Sequence, residues 1–155
     1  MRLFTYDFVG SRWSPAEKRQ VVDVLLDPRG WKSKGFLIVP RDSVPSKLRP
    51  KKADFTLDFR DPADMPDGFP NLSVTWMSLR PRVVWFNTRN WNEIPAASGY
   101  KTLEDYRAYL INHEVGHAAF GLDHTNCAEG DTGPAPIMMQ QTKGTGTCHP
   151  HPWLT

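Results

Sequence analysis

Residues 113–124 read H-E-V-G-H-A-A-F-G-L-D-H, and this segment restricts the possible fold more than any other. Histidines four apart share one face of an α-helix and can chelate one ion, so His113 and His117 call for a helix. Glu114 lies about 100° around that helix from His113. It need not ligate and can instead sit beside a metal as a proton acceptor. Gly121 suits the left-handed residue that ends a helix, after which the chain can reverse and bring in a third ligand. Asp123 and His124 are the two candidates, because carboxylate and imidazole both bind zinc. A lone helical histidine is usually an ordinary core or surface residue. H-E-x-x-H arises by chance in roughly one chain of this length in a few hundred. Here three of the five histidines of the chain fall within these twelve residues, so the expected cofactor is a single Zn²⁺.

The helix is expected to begin near Thr102, with Asp105 placed for a capping-box-like start. Ile111, Val115, Ala118 and Leu122 form one apolar stripe. Leu103, Tyr106 and Leu110 form a second that runs into His113 and His117, so the helix should be buried on two sides. Upstream, residues 3–9 alternate as a strand does. S-P-A-E at 14–17 is a capping box with proline at the first helical position. Val21 with Leu25, and Val22 with Leu26, give that helix its apolar stripe, and D-P-R-G at 27–30 ends it. Residues 35–40, 54–59, 72–78 and 82–86 read as strands rich in apolar, β-branched and aromatic residues. Residues 60–71 and 87–99 read as loops, the second carrying Trp91. The order predicts an α/β (α+β) domain: a twisted, mostly parallel sheet of four to five strands with two main helices packed on it.

With 155 residues the chain fits one domain with a real core. It divides into an N-terminal subdomain, 1–121, and a loop-rich C-terminal subdomain, 122–155. A net charge of +2 gives no case for a nucleic-acid or membrane partner. Lys47, Arg49, Lys51 and Lys52 read as a solvated loop. No apolar run approaches the length of a membrane span. Thr5, Tyr6 and Asp7 stand where a signal peptide would need an apolar core. The chain is therefore cytoplasmic if it is complete, and extracytoplasmic or secreted if a leader has been removed.

The pattern of metzincin zinc peptidases is H-E-x-x-H-x-x-G-x-x-H. Here glycine and the final histidine each come one residue late, which puts Asp123 in the usual third position. Because the two are displaced together, His124 is the favoured ligand and Asp123 the alternative. Downstream, P-A-P-I-M-M-Q-Q-T at 134–142 offers Met138, with Met139 beside it, for the methionine turn such sites have beneath the ligands. The stretches N-H-E-V-G-H, D-H-T-N-C, P-A-P-I-M-M-Q-Q-T and C-H-P-H-P-W resemble a bacterial family of mostly exported metallopeptidases with a minimal metzincin domain. D-P-R-G-W, A-D-F-T and Y-R-A-Y-L-I-N-H-E extend that resemblance over nearly the whole chain. It implies that a ligand histidine precedes a cysteine by three residues, as His124 precedes Cys127. It also implies a disulfide between Cys127 and Cys148, closing a loop of about 20 residues worth about 3 kcal/mol.

The function so implied is that of a zinc endopeptidase, monomeric and acting on a peptide or protein substrate, with Glu114 as general base. The edge of strand 72–78 would take an extended substrate. Trp153 and the tail from Thr142 are expected either to wall its pocket or to pack in the core. A zinc amidase acting on cell-wall peptides is one rival. A zinc-bearing module that binds peptides without cutting them is another, although the intact Glu114 argues against it. A purely structural zinc site would need a fourth ligand, from Cys127 or Cys148.

Overall fold

A computed structural model describes residues 1–154. It is a mixed α/β fold around one five-stranded, mostly parallel sheet in the order β2-β1-β3-β5-β4. The strands are β1 (Arg2–Phe8), β2 (Phe36–Pro40), β3 (Phe55–Arg60), β4 (Val74–Trp76) and β5 (Arg82–Asn87). β1 pairs in parallel with both β2 and β3, and β3 pairs in parallel with β5. Only β4 is antiparallel, pairing Thr75 with Val84 of β5, and it forms one edge of the sheet. Thr155, the last residue of the C-terminal segment, lies outside the described residues.

Local chemistry explains the elements. In α1 (Pro15–Leu26) the Ser14 side chain accepts from the Glu17 N–H, and the Glu17 carboxylate accepts from the Ser14 N–H. That reciprocal pair satisfies two donors a helix start leaves unpaired. In β3, Phe55, Leu57 and Phe59 are buried while Thr56, Asp58 and Arg60 are half-buried, so alternation is visible in the sequence. In β5 four successive residues, Val84 to Asn87, are all buried, as a strand covered on both faces requires. Trp13, Phe59, Phe86 and Trp91 meet edge-on or tilted and join the sheet to the connections above it.

The long helix α3 (Leu103–Phe120) packs on α1, β4 and β5. The Thr102 hydroxyl accepts from the Asp105 N–H at its start. Glu104 and Asp105 place negative charge at the positive end of its dipole. Residues 108–116 are buried without a break. Ile111 and Val115 are fully buried in the core, and the C-terminal segment bonds to Tyr109, Asn112 and His113. The Tyr109 hydroxyl donates to the Met139 carbonyl, the Asn112 amide to the Pro152 carbonyl, and His113 bonds the Ile137 carbonyl. A disulfide joins Cys127 to Cys148.

Several local expectations change. Strand 72–78 shrinks to three residues, because the Asn87 side-chain amide bonds the carbonyls of Pro70 and Leu72, and Ser73 Oγ takes the Asn87 N–H. The span 87–99 is not all loop. Asn87 accepts from the Arg89 N–H and caps a short helix, α2 (Thr88–Asn92), that carries Trp91 into the core. Leu122 is exposed rather than part of a buried stripe, since the helix stops before it. Trp153 packs beneath the Arg29 guanidinium, 4.2 Å from its ring centroid, and lines a cavity with α1 residues remote from the histidines.

Candidate metal centre

Gly121 adopts φ 64° and ψ 27°, a left-handed conformation that L side chains resist. Its N–H returns to the His117 carbonyl, and the Leu122 N–H to the Gly116 carbonyl. This turn reverses the chain and delivers His124 to the same end of α3 as His113 and His117. One ligand atom from each of the three histidines lies within 4.8 Å of the others. The Nε2 atoms of His117 and His124 are 3.0 Å apart. Two nitrogens held at about 2.0–2.1 Å on a tetrahedral ion lie about 3.3 Å apart, so a shift of a few tenths of an ångström fits the pair to a metal.

The other ring nitrogens explain the orientation. His113 Nδ1 meets the Ile137 carbonyl at 2.8 Å and His117 Nδ1 meets the Leu122 carbonyl at 2.6 Å. A carbonyl can only accept, so Nδ1 carries the proton and Nε2 keeps its lone pair. Burial pushes the His113 pKa down to about 3, and burial also lowers His117 and His124. All three therefore favour the neutral form that binds metals. A cation here also meets the negative end of the α3 dipole. Arg82 donates to the His117 and Ala118 carbonyls at that end, satisfying groups the helix leaves free.

Glu114 is buried beside the cluster, and its Oε2 accepts from the Thr75 hydroxyl at 2.7 Å. Burial raises its pKa to about 8, against the lowering effect of the Thr75 bond. A divalent cation nearby acts in the opposite sense and favours the carboxylate. Asp123 lines the same cleft but stands outside the group of converging ligand atoms. Met138 lies in a turn closed by the Met139 N–H and the Pro136 carbonyl, and its own carbonyl accepts from the Thr125 N–H beside His124. Its side chain fills the space at Gly116, where a methyl group would collide with Sδ and come within 3.0 Å of Trp31. The glycine inside H-E-V-G-H therefore lets the turn sit directly under the helix.

The histidines and Glu114 open onto a cleft of about 290 Å³, walled by β4 and the segment before it. Phe69, Leu72, Val74, Met77 and Leu122 give it apolar walls; Phe69, Met77 and Leu122 are also solvent-exposed at its rim. Thr142 lines it and Trp153 does not.

Three residues of the site escaped the sequence reading. Thr75 holds Glu114. Asn112 ties the tail to α3 one residue before His113, and the Trp31 indole donates to its backbone carbonyl. Gln141 is fully buried, and its amide uses all four bonding positions. Oε1 accepts from the Tyr100 hydroxyl and the His151 N–H, while Nε2 donates to the Pro136 and His151 carbonyls. The available signal for Gln141 was its place two residues after the methionine pair.

No curated protein and no solved structure is significantly similar to the chain. Residues 16–151, which include all of α1 but its first residue, four of the five strands and the whole histidine cluster, match the model of a family described as "Protein of unknown function (DUF3152)", and the chain belongs to that family.

Proposed function

We propose that this protein is a zinc-dependent endopeptidase with a metzincin-like site, in which His113, His117 and His124 hold the metal. The observation that carries this reading is the convergence of three imidazoles beside a buried glutamate at the floor of an open cleft. A three-imidazole donor set suits zinc and leaves a coordination position for water and substrate. A closed structural site fits poorly, since Cys127 and Cys148 are joined to each other and offer no thiolate. The turn at Met138 beneath His113 and Gly116 is consistent with a methionine turn.

Zinc bound there supplies Lewis acidity to the attacking water and to the substrate carbonyl oxygen. Glu114 accepts the water proton and returns it to the leaving amine. Tyr109 lines the cleft, but its hydroxyl donates to the Met139 carbonyl and accepts from the Gln141 N–H, so it is committed to the scaffold. The free edge of β4 is the natural bed for an extended peptide, and the apolar walls favour apolar side chains next to the scissile bond.

The test is to offer the zinc-loaded protein denatured casein and, separately, peptidoglycan fragments. Casein should be cut, chelation should stop the cutting, and added zinc should restore it. Cleavage of peptidoglycan peptides alone would turn the reading to a cell-wall amidase. Binding of peptides with no cleavage would turn it to a peptide-binding module.

A further inference from the structure

We propose that Thr75 is a positioning residue: its hydroxyl holds the Glu114 carboxylate in register with the histidine cluster, so that the edge strand β4 orients the base. The proposal rests on the reading of Glu114 as general base. Its own basis is geometric. Thr75 Oγ1 lies 2.7 Å from Glu114 Oε2 and is the only hydrogen-bond donor to that carboxyl among the described residues. The contact spans 39 positions of sequence and joins the sheet edge to α3. Glu114 is only 4% exposed, so its carboxylate depends on the few partners within reach, of which Thr75 is the one from the sheet. Oε1 takes no protein donor among the described residues, and Glu114 borders the cleft, which leaves this oxygen for the proton of an attacking water.

Strand β4 has two duties. Thr75 is its central residue and is paired with Val84 on the inner side, while the outer edge of the strand is free. A peptide added along that edge would order β4, and through the Thr75 hydroxyl it would also order Glu114. Substrate placement and base placement are then coupled by one hydroxyl. A purely structural threonine could instead spend that hydroxyl on the Glu114 backbone carbonyl, 3.2 Å away. The shorter contact to Oε2 favours the carboxylate.

Thr75→Val removes the hydroxyl at nearly constant shape, and Thr75→Ser keeps it. With the zinc-loaded proteins, Val should lower kcat about 10–100-fold, the range for lost partners of site groups, with KM and zinc affinity little changed. Ser should restore most of kcat. Unfolding of the metal-free proteins supplies a readout independent of turnover. Val should lower the midpoint in the wild-type background and much less in a Glu114→Ala background. If Val does not fold, Thr75→Ala makes the same deletion. Unchanged kcat in the hydroxyl-free variant, equal midpoint shifts in both backgrounds, or kcat lost only together with zinc would overturn the proposal. A wild-type protein that cleaves nothing would instead bring down the general-base reading, and this proposal with it.

Discussion

Replacing Glu114 by glutamine should reduce peptide hydrolysis about 10²–10⁴-fold, the usual contribution of a positioned general base. Zinc content and fold should survive. The side chain is not among the converging ligand atoms, and glutamine is isosteric with an oxygen that can still accept from Thr75. The loss should appear in kcat and kcat/KM alike, because the proton is moved only in the transition state. His113→Ala provides the contrast, since it should lose both activity and metal. Turnover within a few-fold of wild type in Glu114→Gln would remove Glu114 from the chemistry.

The second large effect should come from Gln141→Leu. Leucine fills a similar volume but strips partners from the Tyr100 hydroxyl, the His151 N–H and the carbonyls of Pro136 and His151. Buried polar groups left unpaired cost about 1–3 kcal/mol each, and some of these can relax toward solvent. A loss of about 3–5 kcal/mol in urea unfolding is the expected outcome. Gln140→Leu, a half-buried neighbour on the cleft, should change stability by about 0.5 kcal/mol or less. The metal centre should weaken in Gln141→Leu too, because Pro136 opens the turn whose Ile137 carbonyl orients His113. Equal stabilities for the two leucine variants would contradict the role given to Gln141.

These two residues also mark how far the sequence could be read. His113, Glu114 and His117 lie within five residues on one helix, so helical geometry alone brings them together. The strands that could be read were those with local alternation, as in β3, or runs of β-branched and aromatic residues, as in β5. Gly121 advertised the reversal that returns His124. Thr75 gave no such signal, because its meeting with Glu114 depends on the pairing of β4 with β5 and on how α3 lies across them. Gln141 was hidden for the same reason: its amide bonds residues from 5 to 41 positions away. The span 87–99 reads as a loop, yet it holds the short helix α2, whose one local signal is Asn87, a favoured helix cap. The use of Trp153 is not local either, because the cation beneath which it packs, Arg29, comes from the other end of the chain.

The most direct measurement is a crystal structure of the zinc-loaded protein with anomalous scattering recorded at the zinc edge. One ion is expected per chain, about 2.0–2.1 Å from Nε2 of His113, His117 and His124, with its remaining position open to the cleft beside Glu114. Asp123 should stay off the metal, and Met138 Sδ should lie beneath the ligands without touching it. An ion bound by Asp123 in place of His124, a fourth protein ligand closing the site, or zinc bound elsewhere would contradict the account.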